Sequence, residues 1–280
     1  MAEKDHGEER NDRGLSEEES EAVGQKLPLR APVVYEIVRE EGEEEIRRPP
    51  ISLWWSGIAA GLSIGFSLLS EALLRHYLPD APWRPLVANM GYSVGFIMVI
   101  LGRQQLFTEN TITPILPLFA DFDWWTLGRV ARLWAIVFAA NMLGTFGFAL
   151  FNSLVPGTIP EIMHAMLEVS REALAKDWFE MFARAIGAGF LIATIVWLIP
   201  SAKTSKIHVV FLFTYILALA EFTHIVAGST EAFLLVLAGE LGIPEMLWRF
   251  TVPVFLGNVI GGTALFALIA YGQVMREIRE

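Results

Sequence analysis

The residues best suited to chemistry lie in the middle of long apolar runs, where polar groups are least at home. Leu106-Phe107-Thr108-Glu109-Asn110-Thr111 interrupts the run from Leu86 to Ala120, and Glu221-Phe222-Thr223-His224 interrupts the run from Ile207 to Ala238. His224 stands apart from the other histidines: His6, His76 and His164 fall in polar segments, and His208 begins its run beside Lys203 and Lys206. An imidazole with an unperturbed pKa near about 6.5 can take up and release protons around neutrality. A lone buried histidine is ordinarily a satisfied core residue, but ionisable groups at bilayer depth are rare and mark ion, proton or substrate paths.

The elements that must position these residues read as membrane helices. Of 280 residues 54% are hydrophobic, with nine Trp and nineteen Phe, and the mean hydropathy is +0.46. A spanning helix needs about 20 apolar residues. Six stretches qualify, at roughly 52–74, 86–120, 130–152, 179–200, 207–238 and 247–271. The second and fifth are long enough for two half-helices each. A polar break at bilayer depth is tolerated only where it faces protein or a wet cavity, and paired broken helices in corresponding halves point to a transport site near the midplane. The expected class is therefore an all-α integral membrane protein, a transporter or channel.

The formal net charge of −10 is unevenly placed: residues 1–50 hold fifteen acidic and eight basic residues, a net −7. Residues 1–32 read as an acidic, solvated cytoplasmic arm. Val33-Val34-Tyr35, Ile37 and Val38 at helical spacing predict a short amphipathic helix over 33–48. The transmembrane domain follows over 49–275, with 276–280 as a cytoplasmic tail. No apolar signal segment occurs in the first fifty residues. Counting Lys and Arg near the ends of the spans puts eight on the side of the termini, Arg47, Arg48, Arg129 and Arg132 among them, against five on the other. That bias places both termini in the cytoplasm. The absence of Cys excludes disulfides, thiolate metal sites and Cys nucleophiles, no metal-ligand cluster such as H-E-x-x-H occurs, and neither a cofactor nor a nucleic-acid partner is expected.

The halves can be laid over each other. Gly57, Gly61 and Gly65 match Ala185, Gly189 and Ala193 at an offset of 128, Phe107-Thr108 matches Phe222-Thr223 at 115, and Asn141 and Gly144 match Asn258 and Gly261 at 117. A strip of small residues alone is ordinarily a packing face. The order small-strip span, broken span, Asn-x-x-Gly span, taken twice, predicts a 3+3 inverted repeat, because three spans per half turn the second half upside down. After each break a helix start is expected, Thr108-Glu109-Asn110-Thr111 before Ile112 and Gly228-Ser229-Thr230-Glu231 before Ala232. Hydroxyl and amide side chains cap free N–H groups, an acid suits the first turn, and two such half-helix starts would draw anions to the centre.

Leu106-Phe107-Thr108 in a broken second helix, a His in the broken fifth and Gly257-Asn258-Val259-Ile260-Gly261-Gly262 in the sixth together resemble the formate/nitrite transporter family over residues 33–275. Arg103 to Thr111 and Thr223-His224-Ile225-Val226 look most like its YfdC-like branch. The resemblance implies an aquaporin-like fold, a homopentamer in the inner membrane among lipid, and one pore per protomer for small monovalent anions. By position Thr108 matches the loop threonine, His224 the pore histidine and Asn258 the polar residue of the sixth span. The constrictions fall on Tyr92, Phe96, Leu106, Phe107, Ile192 and Leu217, bulky residues that suit two apolar collars around the His. Where the family commonly carries Glu directly before the pore His this chain has Thr223, with Glu221 two residues earlier. The family's Asn in the fourth span is Gly189, and Lys176 is only a nearby substitute for its basic residue. Gln104, Gln105 and Glu109 are candidates to compensate, though polar loop packing accounts for them as well.

An anion conduit, passive or proton-coupled, is the first function read from this pattern. A neutral-solute pore for water, glycerol or ammonia is the alternative, and no Arg follows either break to build a water-type filter. An enzyme using His224 with Ser229 or Glu231 lacks a nucleophile motif, and a signalling role for the acidic arm would leave the pore idle.

Overall fold

The computed structural model describes Ser16, residues 27–154 and residues 159–278. Most of the acidic arm and the last two residues of the tail lie outside the described residues. The amphipathic stretch forms α1 (Ala31–Arg47). Beyond it, α2 (Pro50–Tyr77), α3 (Arg84–Leu101), α5 (Trp124–Leu154), α7 (Trp178–Leu198) and α10 (Ile243–Val274) are each long and apolar enough to cross a membrane. Shorter helices fill the sequence between them: α4 (Ile115–Ala120), α6 (Pro160–Leu174), α8 (Lys206–Leu219) and α9 (Ile225–Leu237).

Side chains set several of these boundaries. Asp177 caps α7 by accepting from the Glu180 N–H at 2.9 Å, and Asp123 accepts from the N–H groups of Trp125 and Thr126 at the start of α5, both satisfying donors a helix leaves free at its first turn. Proline opens α1, α2 and α6, where its missing N–H costs nothing.

The small-residue strips bring helix pairs into backbone contact. A Cβ on Gly61 of α2 would stand 2.3 Å from the Asn141 carbonyl oxygen of α5, and one on Gly189 of α7 would stand 2.2 Å from that of Asn258 in α10. Glycine is required at both crossings because the obstruction is backbone, which cannot rotate away. Two of the turns of α10, Leu247–Thr251 and Ile260–Ala267, are wider than α-helical. The second wraps the loop after α3: a Cβ on Gly262 would fall 2.0 Å from Thr111 Oγ1, and Thr263 Oγ1 donates to the Thr111 carbonyl at 2.6 Å.

Two helix restarts differ from those expected of the sequence. After the first break the chain makes a tight turn at Glu109–Thr111 and regains α-helix only at Ile115, as six residues. After the second, helix resumes at Ile225 rather than at Ala232, so Gly228-Ser229-Thr230-Glu231 lies inside α9 and Glu231 is not in its first turn.

Candidate functional site

Both breaks begin with the same helix ending. Arg103 and Glu221 adopt left-handed φ values of 53° and 52°. Around them the Gln104 N–H bonds the Val99 carbonyl and the Phe222 N–H the Leu217 carbonyl, both at 3.0 Å, a doubled-back end that satisfies the last carbonyls of a helix. Each break is then pinned by one asparagine. Asn141 Nδ2 donates to the carbonyls of Gly57 and Gln105 and its Oδ1 accepts from the Phe107 N–H, at 2.8, 2.9 and 2.9 Å. Asn258 Nδ2 donates to Ala185 and Thr223 and its Oδ1 accepts from the Ile225 N–H, at 2.8, 3.0 and 2.8 Å. These bonds register Phe107 with Ile225 and Leu106 with His224, an offset of 118 rather than the 115 obtained by matching Phe-Thr to Phe-Thr.

The two breaks meet at His224. Its Nε2 lies 2.7 Å from Thr108 Oγ1, and its Nδ1 accepts from the Ala227 N–H at 3.1 Å, which makes His224 the cap of α9. With Nδ1 committed as acceptor, the neutral ring carries its proton on Nε2 and donates to Thr108. Nε2 is then the nitrogen that can give up a proton, and Nδ1 can take one up only by releasing the Ala227 N–H. The ring is 1% exposed and stands edge-on to Phe96 at 5.0 Å, with Tyr92 at 5.3 Å behind Phe96. Thr108 is held from below by its own carbonyl, which accepts from Thr111 Oγ1 at 2.7 Å.

A cavity of about 580 Å³ leads from the far ends of α2 and α6 to this ring, lined by Tyr92, Lys176, Glu221, Phe222, Thr223 and His224 among others. Lys176 pairs with Glu221 at 3.1 Å. Arg184, which carries no role in the sequence pattern, donates to the carbonyls of Ala220 and Glu221 and so neutralises the end of α8. Glu71, Arg75 and Glu231 also reach the cavity wall. Their mutual placement depends on helices far apart in sequence, and only the intramembrane charge of Glu71 and Glu231 could have signalled them.

The other sequence candidates have partners of their own. Asn258 braces the backbone on both sides of His224 and makes no bond to the ring. Thr223 turns away, its Oγ1 donating to the Met181 carbonyl at 2.8 Å. Leu106, Phe107, Ile192 and Leu217 are fully buried, Phe107 stacking on Phe255 at 5.0 Å with Phe138 and Trp134 edge-on. Gln105 serves the loop: its Nε2 donates to Glu45 Oε1 of α1 at 3.3 Å and its Oε1 accepts from Asn110 Nδ2 at 2.9 Å. Gln104 and Glu109 belong to that same loop. Among the described residues no group of three or more His, Cys, Asp and Glu could hold a metal ion.

The chain is similar to known proteins over most of its length. Residues 32–272 match the family model described as formate/nitrite transporter. The inner membrane protein YfdC of Escherichia coli strain K12 is 41% identical over 253 residues, 90% of this chain and 82% of that protein. The formate channel FocA of Haemophilus influenzae is 26% identical over 246 residues, 77% of this chain and 84% of the channel. Among solved structures, a channel described as belonging to the FNT family superposes with a TM-score of 0.76 at 19% identity, over 86% of this chain and 98% of that one. A pentameric formate channel with formate bound gives 0.67 at 18% identity, over 81% and 98%. The chain belongs to the formate/nitrite transporter family.

Proposed function

We propose that this protein is a channel or transporter for small monovalent anions of the formate and nitrite type. The proposed architecture is six spans in a 3+3 inverted repeat, aquaporin-like in plan, assembled as a pentamer in the inner membrane with both termini cytoplasmic. The observation that carries the reading is the 2.7 Å contact of Thr108 with His224 at the floor of a cavity, where the two breaks converge. The repeat is supported by the two helix endings and by the break residues that the two asparagines hold, all related by an offset of 118. A pentamer is supported by likeness to a channel described as pentameric, and exposed Trp55, Trp124 and Trp125 at helix ends suit membrane interfaces.

In this reading an anion enters the cavity, passes the Tyr92 and Phe96 rings and meets the Nε2–H of His224 and the hydroxyl of Thr108. Two uncharged donors at an apolar constriction favour a small, weakly hydrated anion over sulfate, phosphate or a metal cation. Where transport is proton-coupled, Nδ1 takes a proton from the opposite side, releasing the Ala227 N–H, as Nε2 passes its own proton to the anion, so the ring is never left without a proton.

The test is flux into proteoliposomes across pH 5–8, with formate, nitrite, chloride, glycerol and water as permeants and a trapped dye reporting protons. Formate and nitrite should pass well above empty vesicles. His224→Asn keeps an acceptor for the Ala227 N–H, so the cap and the fold should persist while anion-linked proton uptake falls on the order of 100-fold, the scale of a lost general acid. Water or glycerol flux without anion flux would sink the proposal, and unchanged proton uptake in the variant would remove His224 from it.

A further inference from the structure

The cavity above His224 is acidic in a way that an anion path does not call for. Three cations and five carboxyl groups line it. Arg75 forks onto Glu172 at 2.7 and 2.5 Å, Arg84 pairs with Asp80 at 3.3 Å, and Lys176 pairs with Glu221 at 3.1 Å. Every cation thus has its own acid, and Glu71 and Glu231 are left over. Glu231 is 6% exposed, faces the cavity from α9 two turns beyond His224, and receives a hydrogen bond from no donor among the described residues. A carboxyl group placed in a low-dielectric wall without a partner is costly unless something else satisfies it.

The groups facing Glu231 come from each element around it. The wall of α2 brings Glu71 and Arg75, the start of α3 brings Arg84 and Tyr92, and the end of α6 brings Glu172 with Lys176 just after it. The second break brings Glu221 and His224. From α5 comes the neutral Met142, which touches Ser229, and from α10 comes Phe250, while Glu245 and Arg249 pair with each other at 2.7 Å.

We propose that Glu231, with Glu71 sharing its cavity, is a specificity-determining acid of the vestibule: uncharged, it donates a hydrogen bond to a small anion on its way to His224, and ionised, it turns that anion away. This rests on the anion-conduit reading of the same cavity. The proton stays on the carboxyl while the anion passes, so no covalent step and no co-reactant are needed. Ionisation places a like charge directly in the anion's path, where water screens it poorly. Anion flux should therefore be greatest on the acid side and decline with rising pH as the vestibule gains negative charge.

The experiment measures formate and nitrite influx by the full chain in proteoliposomes at pH 5, 6, 7 and 8. Both permeants are almost wholly anionic across this range, so the profile reports the protein. Glu231→Gln fixes the uncharged state and keeps a donor. Its flux at pH 8 should rise about tenfold over the unsubstituted protein, the scale of one removed like charge, and its profile should flatten, whereas Glu231→Asp should keep the original profile. A gain at high pH is an outcome that a merely structural residue cannot produce. A Glu231→Gln profile that matches the unsubstituted one overturns the proposal. So does loss of the folded oligomer in both variants, which would make Glu231 a packing residue. Failure of the unsubstituted protein to pass either anion at any pH is a separate result, and it brings down the anion conduit and this inference together.

Discussion

The first break, from Gly102 to Pro114, and the second, from Ala220 to His224, share a scaffold and differ in how the chain leaves it. Each ends a helix on a left-handed residue and hangs the next peptide groups on an asparagine from a neighbouring span. The second then restarts helix at once, because His224 caps α9. The first runs on through a turn and is stitched from several directions: Ser56 Oγ accepts from the Gln105 N–H at 3.1 Å, Trp134 Nε1 donates to the Asn110 carbonyl at 2.7 Å, and Glu45 of α1 accepts from Gln105 and Thr113. At the registered positions the first break carries Leu106 and the second His224. The scaffold is set by backbone bonds common to both, and the chemistry by one residue that differs.

The sharpest way to break that comparison is to remove the braces. Asn141→Ala and Asn258→Ala each strand buried backbone groups, at roughly 1–3 kcal/mol for each one left unsatisfied. Both should lower the thermal midpoint of the detergent-purified protein, with Asn258→Ala the more damaging, since only the Thr223 side chain, Arg184 and the histidine cap remain to hold its break. Equal losses would show that the extra stitching of the first break contributes nothing to its stability.

Much of this is legible in the sequence, and the parts that are not have identifiable causes. The spans are readable because an apolar run long enough to cross a bilayer is rarely anything but a spanning helix. The Gly and Asn pairs are readable because close backbone approach and bracing of a break each allow few residue types. The register of the second break is misleading because Phe-Thr occurs in both by letter, while the positions that correspond in bonding, Arg103 with Glu221 and Phe107 with Ile225, share no letters. The start of α9 lies earlier than expected because Gly-Ser-Thr-Glu has the composition of a cap and His is a rare one. The pairing of the cavity charges is out of reach: Arg75 and Glu172 stand 97 residues apart, and nothing local marks them as partners.

A second and smaller effect concerns the stitching by α1. Enclosure against the loop pushes the Glu45 carboxyl above its ordinary 4.5, against the opposing pull of the Thr113 and Gln105 bonds. An acid whose pKa is raised by folding stabilises the folded state fully below its unfolded value and loses that contribution as pH rises through the raised one. Docking of α1 should therefore loosen with increasing pH from 4.5 upward. Hydrogen exchange of α1 amides, corrected for the intrinsic rate, should be faster at pH 8 than at pH 5, and Glu45→Gln should erase the difference while leaving α9 amides untouched. A slope of the opposite sign would mean that the bonds, not the enclosure, dominate.

The smallest expected effect tests the shared helix ending itself. A left-handed residue other than glycine costs roughly 1–2 kcal/mol, so glycine at 103 or 221 relieves strain while adding about 0.5–1 kcal/mol of unfolded-state entropy. Arg103→Gly gives up only an exposed pair with Glu41, which is worth between zero and about 1 kcal/mol, and these offsets leave a net change centred near zero, between about −1 and about +1.5 kcal/mol. Glu221→Gly gains the same backbone relief but deprives Lys176, whose side chain is 10% exposed, of its carboxylate. It should come out less stable than Arg103→Gly by about 1 kcal/mol, the lower end for stranding a buried charged group. Both endings have the same geometry, so the difference between the two variants isolates the charge environment of the cavity from the backbone that carries it. Equal midpoints would mean that Lys176 finds compensation without Glu221, from Glu231 on the same wall. In that case Glu231 would be held by a cation after all, and the two breaks would be equivalent in charge as well as in backbone.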